Sequence, residues 1–282
     1  MSSPQPYHDV RPSPIAGTWY PAHPGHLANS VDTYIQQAEL PAIDGRVVGI
    51  LAPHAGHRYS GPVAGHAYKA LQGLMVDVVA LIGPSHRRYP SPVLTSGHEA
   101  YETPLGRVPL DRAILETLNG QVPLDTVRED SEHSLEIELP FLQRALGDFR
   151  LVPLAMIDQS LPMAERLGAA LADVLRDQQA LLVASSDLSH FFPQAIAHQL
   201  DQKVLDAVAA YDPAGVIEAE EYGQKLACGH GAIATVMIAA RALGADASII
   251  VRHATSGDVT RDYAQVVGYA SAVFYQRSRP AH

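Results

Sequence analysis

The chain has 282 residues, 47% of them hydrophobic, and 20 lysines and arginines against 30 aspartates and glutamates, a formal net charge of −10. That length allows one large domain or two small ones, and a compact fold of this size buries roughly 75% of its unfolded surface without covalent staples. The negative balance argues against nucleic-acid backbones and anionic membranes as partners, and a mean hydropathy near zero is that of an ordinary globular chain.

No run approaches the roughly 18 apolar residues of a membrane span. Residues 1–14 are polar and proline-rich with no apolar core, so they read as a disordered arm and not as a secretory signal. A cytoplasmic location is the expectation. Cys228 is the only cysteine, which excludes an internal disulfide.

In chain order, Ala16-Gly17-Thr18-Trp19-Tyr20-Pro21 carries the only tryptophan. Pro24 to Gln37 reads as a helix with Leu27, Val31 and Tyr34 on one face. Arg46 to Ala52 is a β-branched, apolar run too short for a helix and reads as a buried strand. Pro62 to Leu71 then reads as a helix and Val76 to Ile82 as a second buried strand. Residues 87–109 are loop-rich, with short strands near Val93-Leu94 and Arg107-Val108, and Asp111 caps a helix to Leu118.

Asp130 to Leu146 reads as a helix with leucines 135, 139, 142 and 146 on one face, kinked or broken at Pro140. Leu151 to Ala155 is a strand, Leu161 to Arg176 a helix capped by Ser160, and Ala180 to Ala184 another strand. Helices follow over Pro193 to Ala210 and Pro213 to Glu221, and an alanine-rich helix runs from after Cys228-Gly229-His230-Gly231 to Ala242. Ser248 to Arg252 and Val266 to Tyr275 close the chain as strands. With no internal repeat and no dividing linker, one α/β domain over residues 15–276 is expected, followed by a tail at 277–282.

Three of these strands lead to a histidine: Pro53-His54, Pro84-Ser85-His86 and Asp187-Leu188-Ser189-His190. Ligands of open α/β sheets bind past the carboxyl ends of strands, so if the three strands are parallel neighbours the imidazoles converge at one edge. Neutral imidazole is both the commonest metal ligand and a general base suited to neutral pH. Any one of them taken alone reads as a hydrogen-bonded loop residue. Cys228 precedes a helix whose amides favour a thiolate, or else is a small residue packed at that helix start.

Several neighbours have two readings. Asp187 either bonds a ligand histidine and fixes its tautomer or bonds backbone in its own turn. His133, between Glu132 and Glu136, either lines the pocket or bonds backbone at a helix start. His230 is a possible competitor to Cys228 as a ligand. Arg87 and Arg88 either rim the pocket with positive charge or lie in a solvated loop. No Walker loop or dinucleotide glycine fingerprint is present, which leaves nucleotide chemistry unsupported.

The motifs Leu-Ala-Pro-His-Ala-Gly (51–56), Gly-Pro-Ser-His (83–86), Glu-His-Ser-Leu-Glu (132–136), Ser-Ser-Asp-Leu-Ser-His (185–190) and Cys-Gly-His (228–230), with Ala-Gly-Thr-Trp-Tyr near the start, together resemble the Memo family. The resemblance runs in order from about residue 11 to 275. It implies a fold similar to the class III extradiol dioxygenases, which use non-haem iron: a single α/β domain with a mixed sheet between helical layers. It further implies His54 and His86 as metal ligands, Cys228 in the place of the dioxygenases' glutamate, His190 as acid/base and Trp19 as a pocket wall. It does not require a histidine at position 57, and His57 reads as rim or surface.

The implied cofactor is one metal ion, iron or copper first and zinc after them. The cysteine departs from the dioxygenase pattern, because a thiolate is a softer and more oxidisable donor than a carboxylate. The function expected is a metal-dependent oxidoreductase acting on a small molecule. Its rival is a binding protein that holds a peptide, phosphotyrosine-containing as in animal relatives, in the same pocket without turnover. Bacterial relatives further imply a radical-SAM protein as a partner in a shared modification pathway.

Overall fold

The computed structural model describes residues 7–221 and 226–278. It opens with strand β1 (Val10–Arg11), helix α1 (Pro24–Gln37), β2 (Gly45–Ala52), α2 (His57–Lys69) and β3 (Val78–Pro84). Four short strands follow around a helix: β4 (Val93–Ser96), β5 (Ala100–Thr103), β6 (Gly106–Pro109), α3 (Arg112–Asn119) and β7 (Leu124–Val127). After a 3-10 turn at Glu136–Glu138 come α4 (Leu139–Leu146), β8 (Arg150–Met156), α5 (Leu161–Leu175), β9 (Ala180–Ser185) and β10 (His190–Phe192). The chain closes through α6 (Gln194–Ala209), α7 (Pro213–Glu221), α8 (His230–Ala242), β11 (Ala247–Thr255), α9 (Ser256–Thr260) and β12 (Val266–Arg277).

The main sheet is mixed, in the order β10-β12-β2-β9-β3-β8-β4-β7, with β11 also pairing β12. Its centre, β2, β9, β3 and β8, is parallel, and β12 runs antiparallel to β2. These central strands are buried on both faces, which is why they read as unbroken apolar runs and not as alternating ones. One helical group (α5, α6, α7, α8) packs along the sheet through α8 and α6, the other (α1, α2, α4) through α2. In α1 the buried face is Leu27, Val31 and Ile35, a spacing of four that keeps one stripe inward. At Gly65 of α2 a Cβ would stand 2.4 Å from the Tyr34 carbonyl oxygen, so only glycine permits this approach of α1 to α2.

Several expectations are corrected. Of the supposed arm, residues 7–14 are described, and Val10–Arg11 pair with β5 in a second sheet, β1-β5-β6. Arg11 is buried, bonding Asp130, Glu136 and the Glu132 carbonyl. The rest of the arm, residues 1–6, and residues 279–282 of the tail lie outside the described residues. The helix expected from Asp130 begins only at Leu139: the Asp130 and Glu132 carboxylates take the N–H groups of Glu132, His133 and Ser134 and so compete with helical bonding. Pro140 therefore lies in a first turn, where no helical bond is lost. Helix α2 starts five residues before Pro62, because the Trp19 carbonyl accepts from His57 N–H and the Gly56 carbonyl from Tyr59 and Ser60. His57 is consequently buried, not on the rim. No helix among the described residues is long and apolar enough to cross a membrane.

Candidate metal centre

Strands β2, β9 and β3 are adjacent and end level, with Ala52 paired to Ser185 and Ile82 to Ala184. Residues just past these ends therefore meet, as the parallel topology requires. His54 lies at the base, 1% exposed, its Nε2 3.1 Å from Cys228 Sγ. The His86 ring stands edge-on to it with centroids 5.4 Å apart, on the solvent side. One donor atom from each of His54, His86 and Cys228 lies within 4.8 Å of the others.

Each donor is held from behind. His54 Nδ1 lies 2.9 Å from Ser185 Oγ at the end of β9. His86 is gripped by Glu132, whose carboxylate takes its ring Nδ1 at 2.9 Å and its backbone N–H at 2.6 Å, leaving Nε2 for a ligand. The Cys228 loop is laid directly on β9: a Cβ on Gly229 would come 2.5 Å from the Ser185 carbonyl oxygen, and Gly229 N–H donates to Ser186 Oγ at 2.9 Å. Gln159 ties the other side, donating to the Cys228 carbonyl at 2.8 Å and accepting from Gly231 N–H.

Burial favours the neutral form of two donors, Cys228 and His54, while Glu132 pulls the third, His86, toward its protonated form. Burial pushes the Cys228 thiol up, aided by Asp187. Burial holds His54 well below the usual histidine range, with His133 and His86 adding to the effect. His86 is raised by its hydrogen bond to Glu132. For Glu132, burial works upward, yet the bonds from His86 and the Ser134 amide prevail and hold it low. A thiol and two imidazoles at these separations suit a tetrahedral cation, whose N and S donors stand about 3.5 Å apart. His86, Glu132 and His133 form a second cluster within 4.8 Å, but Glu132 Oε1 is already engaged by the His86 ring and two amides, which makes it the outer partner of His86.

The His133 ring is set between Trp19 at 4.1 Å and His86 at 4.6 Å, 5.5 Å from the His54 ring, and burial lowers its pKa to about 4. Trp19 is thus one wall. His190 begins β10, opposite Val267, near enough for its charge to act on His54. Beside it Phe191 is 68% exposed with φ of +64°, a left-handed conformation uncommon for an aromatic residue. A groove of about 470 Å³ adjoins the centre, lined by Trp19, Ala55, Tyr59, Phe191, Asp262 and Tyr269 among others.

The family model described as Memo-like protein matches residues 11–273. The chain belongs to the Memo family. A MEMO1 family protein of Methanopyrus kandleri is 38% identical over 274 residues, covering 92% of this chain and 97% of its own. Another, from Methanothermobacter thermautotrophicus, is 37% identical and covers 93% and 99%. The crystal structure of an uncharacterized protein from Escherichia coli K12 superposes with a TM-score of 0.51 at 16% identity, over 80% of this chain and 99% of that one, and supports the mixed α/β fold alone.

In this Memo-family chain two predicted neighbours take backbone duties. Asp187 accepts from the His54 and Ala55 amides at 2.8 and 3.2 Å, not from a ring, and burial raises its pKa to about 7. His230 turns its Nδ1 to the Ala227 carbonyl and lies outside the donor group. Arg87 and Arg88 are exposed. Sequence reasoning missed Ser185, Glu132 and Gln159 as supports. The first two stand inside the quoted motifs, whereas nothing local marks Gln159.

Proposed function

We propose that this Memo-family protein is a metal-dependent redox protein acting on a flat, largely apolar small molecule, with His54 Nε2, His86 Nε2 and Cys228 Sγ as the metal donors. The observation that carries the reading is the convergence of those three donor atoms, from three separate chain segments, within 4.8 Å. A bound iron or copper ion would supply the one-electron and dioxygen chemistry that side chains lack, and the thiolate shifts the preference toward copper or zinc relative to a carboxylate.

The chain's own residues account for the remainder. Glu132 orients His86 and raises its basicity. Loading displaces the Cys228 proton, so binding weakens as pH falls. His190, at the edge of the site, is suited to move a proton to or from a substrate held in the groove. Trp19, Tyr59, Phe191 and Tyr269 offer that substrate aromatic faces. The rival reading, a phosphotyrosine-type ligand, finds less support: among the described residues lining the groove Asp262 is the charged one, and no lysine or arginine is there to meet a phosphate.

The test is reconstitution of metal-free protein with Fe(II), Cu(I) or Zn(II) under anaerobic conditions, followed by metal analysis. Stoichiometric metal that is lost in Cys228→Ala is the expected result. Protein that holds no metal, or a Cys228→Ala variant that holds as much, would overturn the reading. Metal retention without dioxygen uptake in the presence of catechols or other reductants would move the role from catalysis to ligand binding.

A further inference from the structure

Behind His54 lies a buried polar chain that the metal reading does not use. Ser185 Oγ, at the end of β9, has three partners: the Ser134 carbonyl oxygen at 2.6 Å, Glu138 Oε1 at 2.8 Å and His54 Nδ1 at 2.9 Å. Glu138 Oε2 in turn meets the Tyr68 hydroxyl at 2.6 Å. All these side chains are essentially inaccessible to solvent: Ser185, Tyr68 and Ser134 are 0% exposed, Glu138 and His54 1%.

A hydroxyl carries one proton and two lone pairs. At separations of 2.6 and 2.8 Å two oxygens with no proton between them repel, so each contact must contain one. The Ser134 carbonyl can only accept, and it therefore takes the single Ser185 proton. The other two partners must then donate to Ser185 Oγ. Glu138 supplies an O–H and His54 supplies Nδ1–H. Tyr68 donates to the remaining Glu138 oxygen, and no proton is left over or missing.

We propose that Glu138 is held as a neutral carboxylic acid and that, through Ser185 Oγ, it is the positioning residue that fixes His54 in the Nδ1–H tautomer. His54 Nε2 then carries the lone pair and faces Cys228 Sγ. The assignment rests on hydrogen-bond bookkeeping around Ser185, and it agrees with burial, which raises the Glu138 carboxyl to about 8. It also explains why an acid is tolerated 1% exposed when its described hydrogen-bond partners, Tyr68 and Ser185, are uncharged. Its value for the proposed metal centre follows from the tautomer, since a ligand histidine is preset by the bond at its other nitrogen.

Glu138→Gln discriminates. An amide reproduces both halves of a neutral acid, an N–H for Ser185 and a carbonyl for Tyr68, whereas it cannot replace a carboxylate that accepts on both oxygens. In metal-free protein labelled with ¹⁵N-histidine, the His54 resonances are expected to show Nδ1–H, unchanged in Glu138→Gln and mixed between tautomers in Ser185→Ala. Zn(II) affinity is expected to be within a few-fold of wild type in Glu138→Gln and to fall by roughly 10–100-fold in Ser185→Ala, the usual cost of losing an outer partner. An Nε2–H tautomer in the wild type, or a Glu138→Gln variant that loses Zn(II) as badly as Ser185→Ala, would overturn the proposal. The tautomer is read without metal. A wild type that shows Nδ1–H yet binds no metal would refute the proposed function and leave this assignment standing.

Discussion

A cysteine at the third position of the proposed donor set changes what that set would hold. Two imidazoles and a carboxylate favour Fe(II), while Cys228 supplies the same formal charge on a softer atom. Its position is over-determined by Gln159, Ser186 and the close-packed Gly229, so the thiol is aimed and not incidental. His190 has a different place, on β10 at the edge of the site and outside the donor group. His54→Ala and His86→Ala are therefore expected to lower Zn(II) affinity more than 100-fold, with His190→Ala changing it less than about 10-fold, since even outer partners cost roughly 10–100-fold. Competition titration against a chromogenic chelator measures this, and equal losses in all three variants would make His190 a primary ligand. Glu132→Gln should fall between, because it keeps the side chain but removes the charge that makes His86 basic.

At the scale of elements, β1 and the segment 130–138 form one unit that holds the Glu132 clamp in place. Arg11 reaches Asp130 at 2.5 Å and Glu136 at 2.6 Å, and Glu136 also accepts from Ser13 and Tyr20. Removing one partner of such a buried pair leaves an uncompensated charge and costs roughly 3–5 kcal/mol. Arg11→Met is expected to lose about that much in urea unfolding, and the Arg11→Met/Glu136→Gln double variant to recover part of it. If Arg11→Met unfolds at the wild-type midpoint, the pair contributes nothing. This unit was not legible in the sequence. Unbroken apolar runs revealed the central strands, which are buried on both faces, and a four-residue apolar spacing revealed α1, but β1, β5, β7 and β10 are two to four residues long and too short to show either signal. In the same way leucine spacing extended a helix through residues 130–138, where carboxylate–amide bonds prevail. His54 and His86 were legible because the ends of β2 and β3 are marked by proline and glycine. Ser185, by contrast, looked like any small strand residue until Glu138 and Ser134 were placed against it.

Over the whole molecule, two buried groups outside the donor set give opposite pH dependences. His57 is buried, bonds the Ile137 carbonyl through Nε2, and is lowered to about 4 by desolvation. Its unfolded counterpart takes up a proton near pH 6.5, so the unfolded state binds more protons between 6.5 and 4, and stability falls as pH drops through that window. The limit is roughly 3 kcal/mol for a shift of this size. Glu138, raised to about 8, works in the other direction. Its unfolded counterpart loses its proton near pH 4.5, so the stability it contributes is complete below that pH and is lost as pH rises toward 8. The two windows overlap between about pH 4.5 and 6.5, where their equal and opposite slopes cancel, so from these two groups metal-free protein is expected to hold a plateau there, to weaken as pH rises from about 6.5 to 8, and to weaken below about 4.5. His57→Gln, which keeps a donor for Ile137, should flatten the acid side, and Glu138→Gln the alkaline side. Urea midpoints across pH 4–9 measure both. Variants that each retain the full wild-type loss on their own side would show that neither residue sets the pH profile.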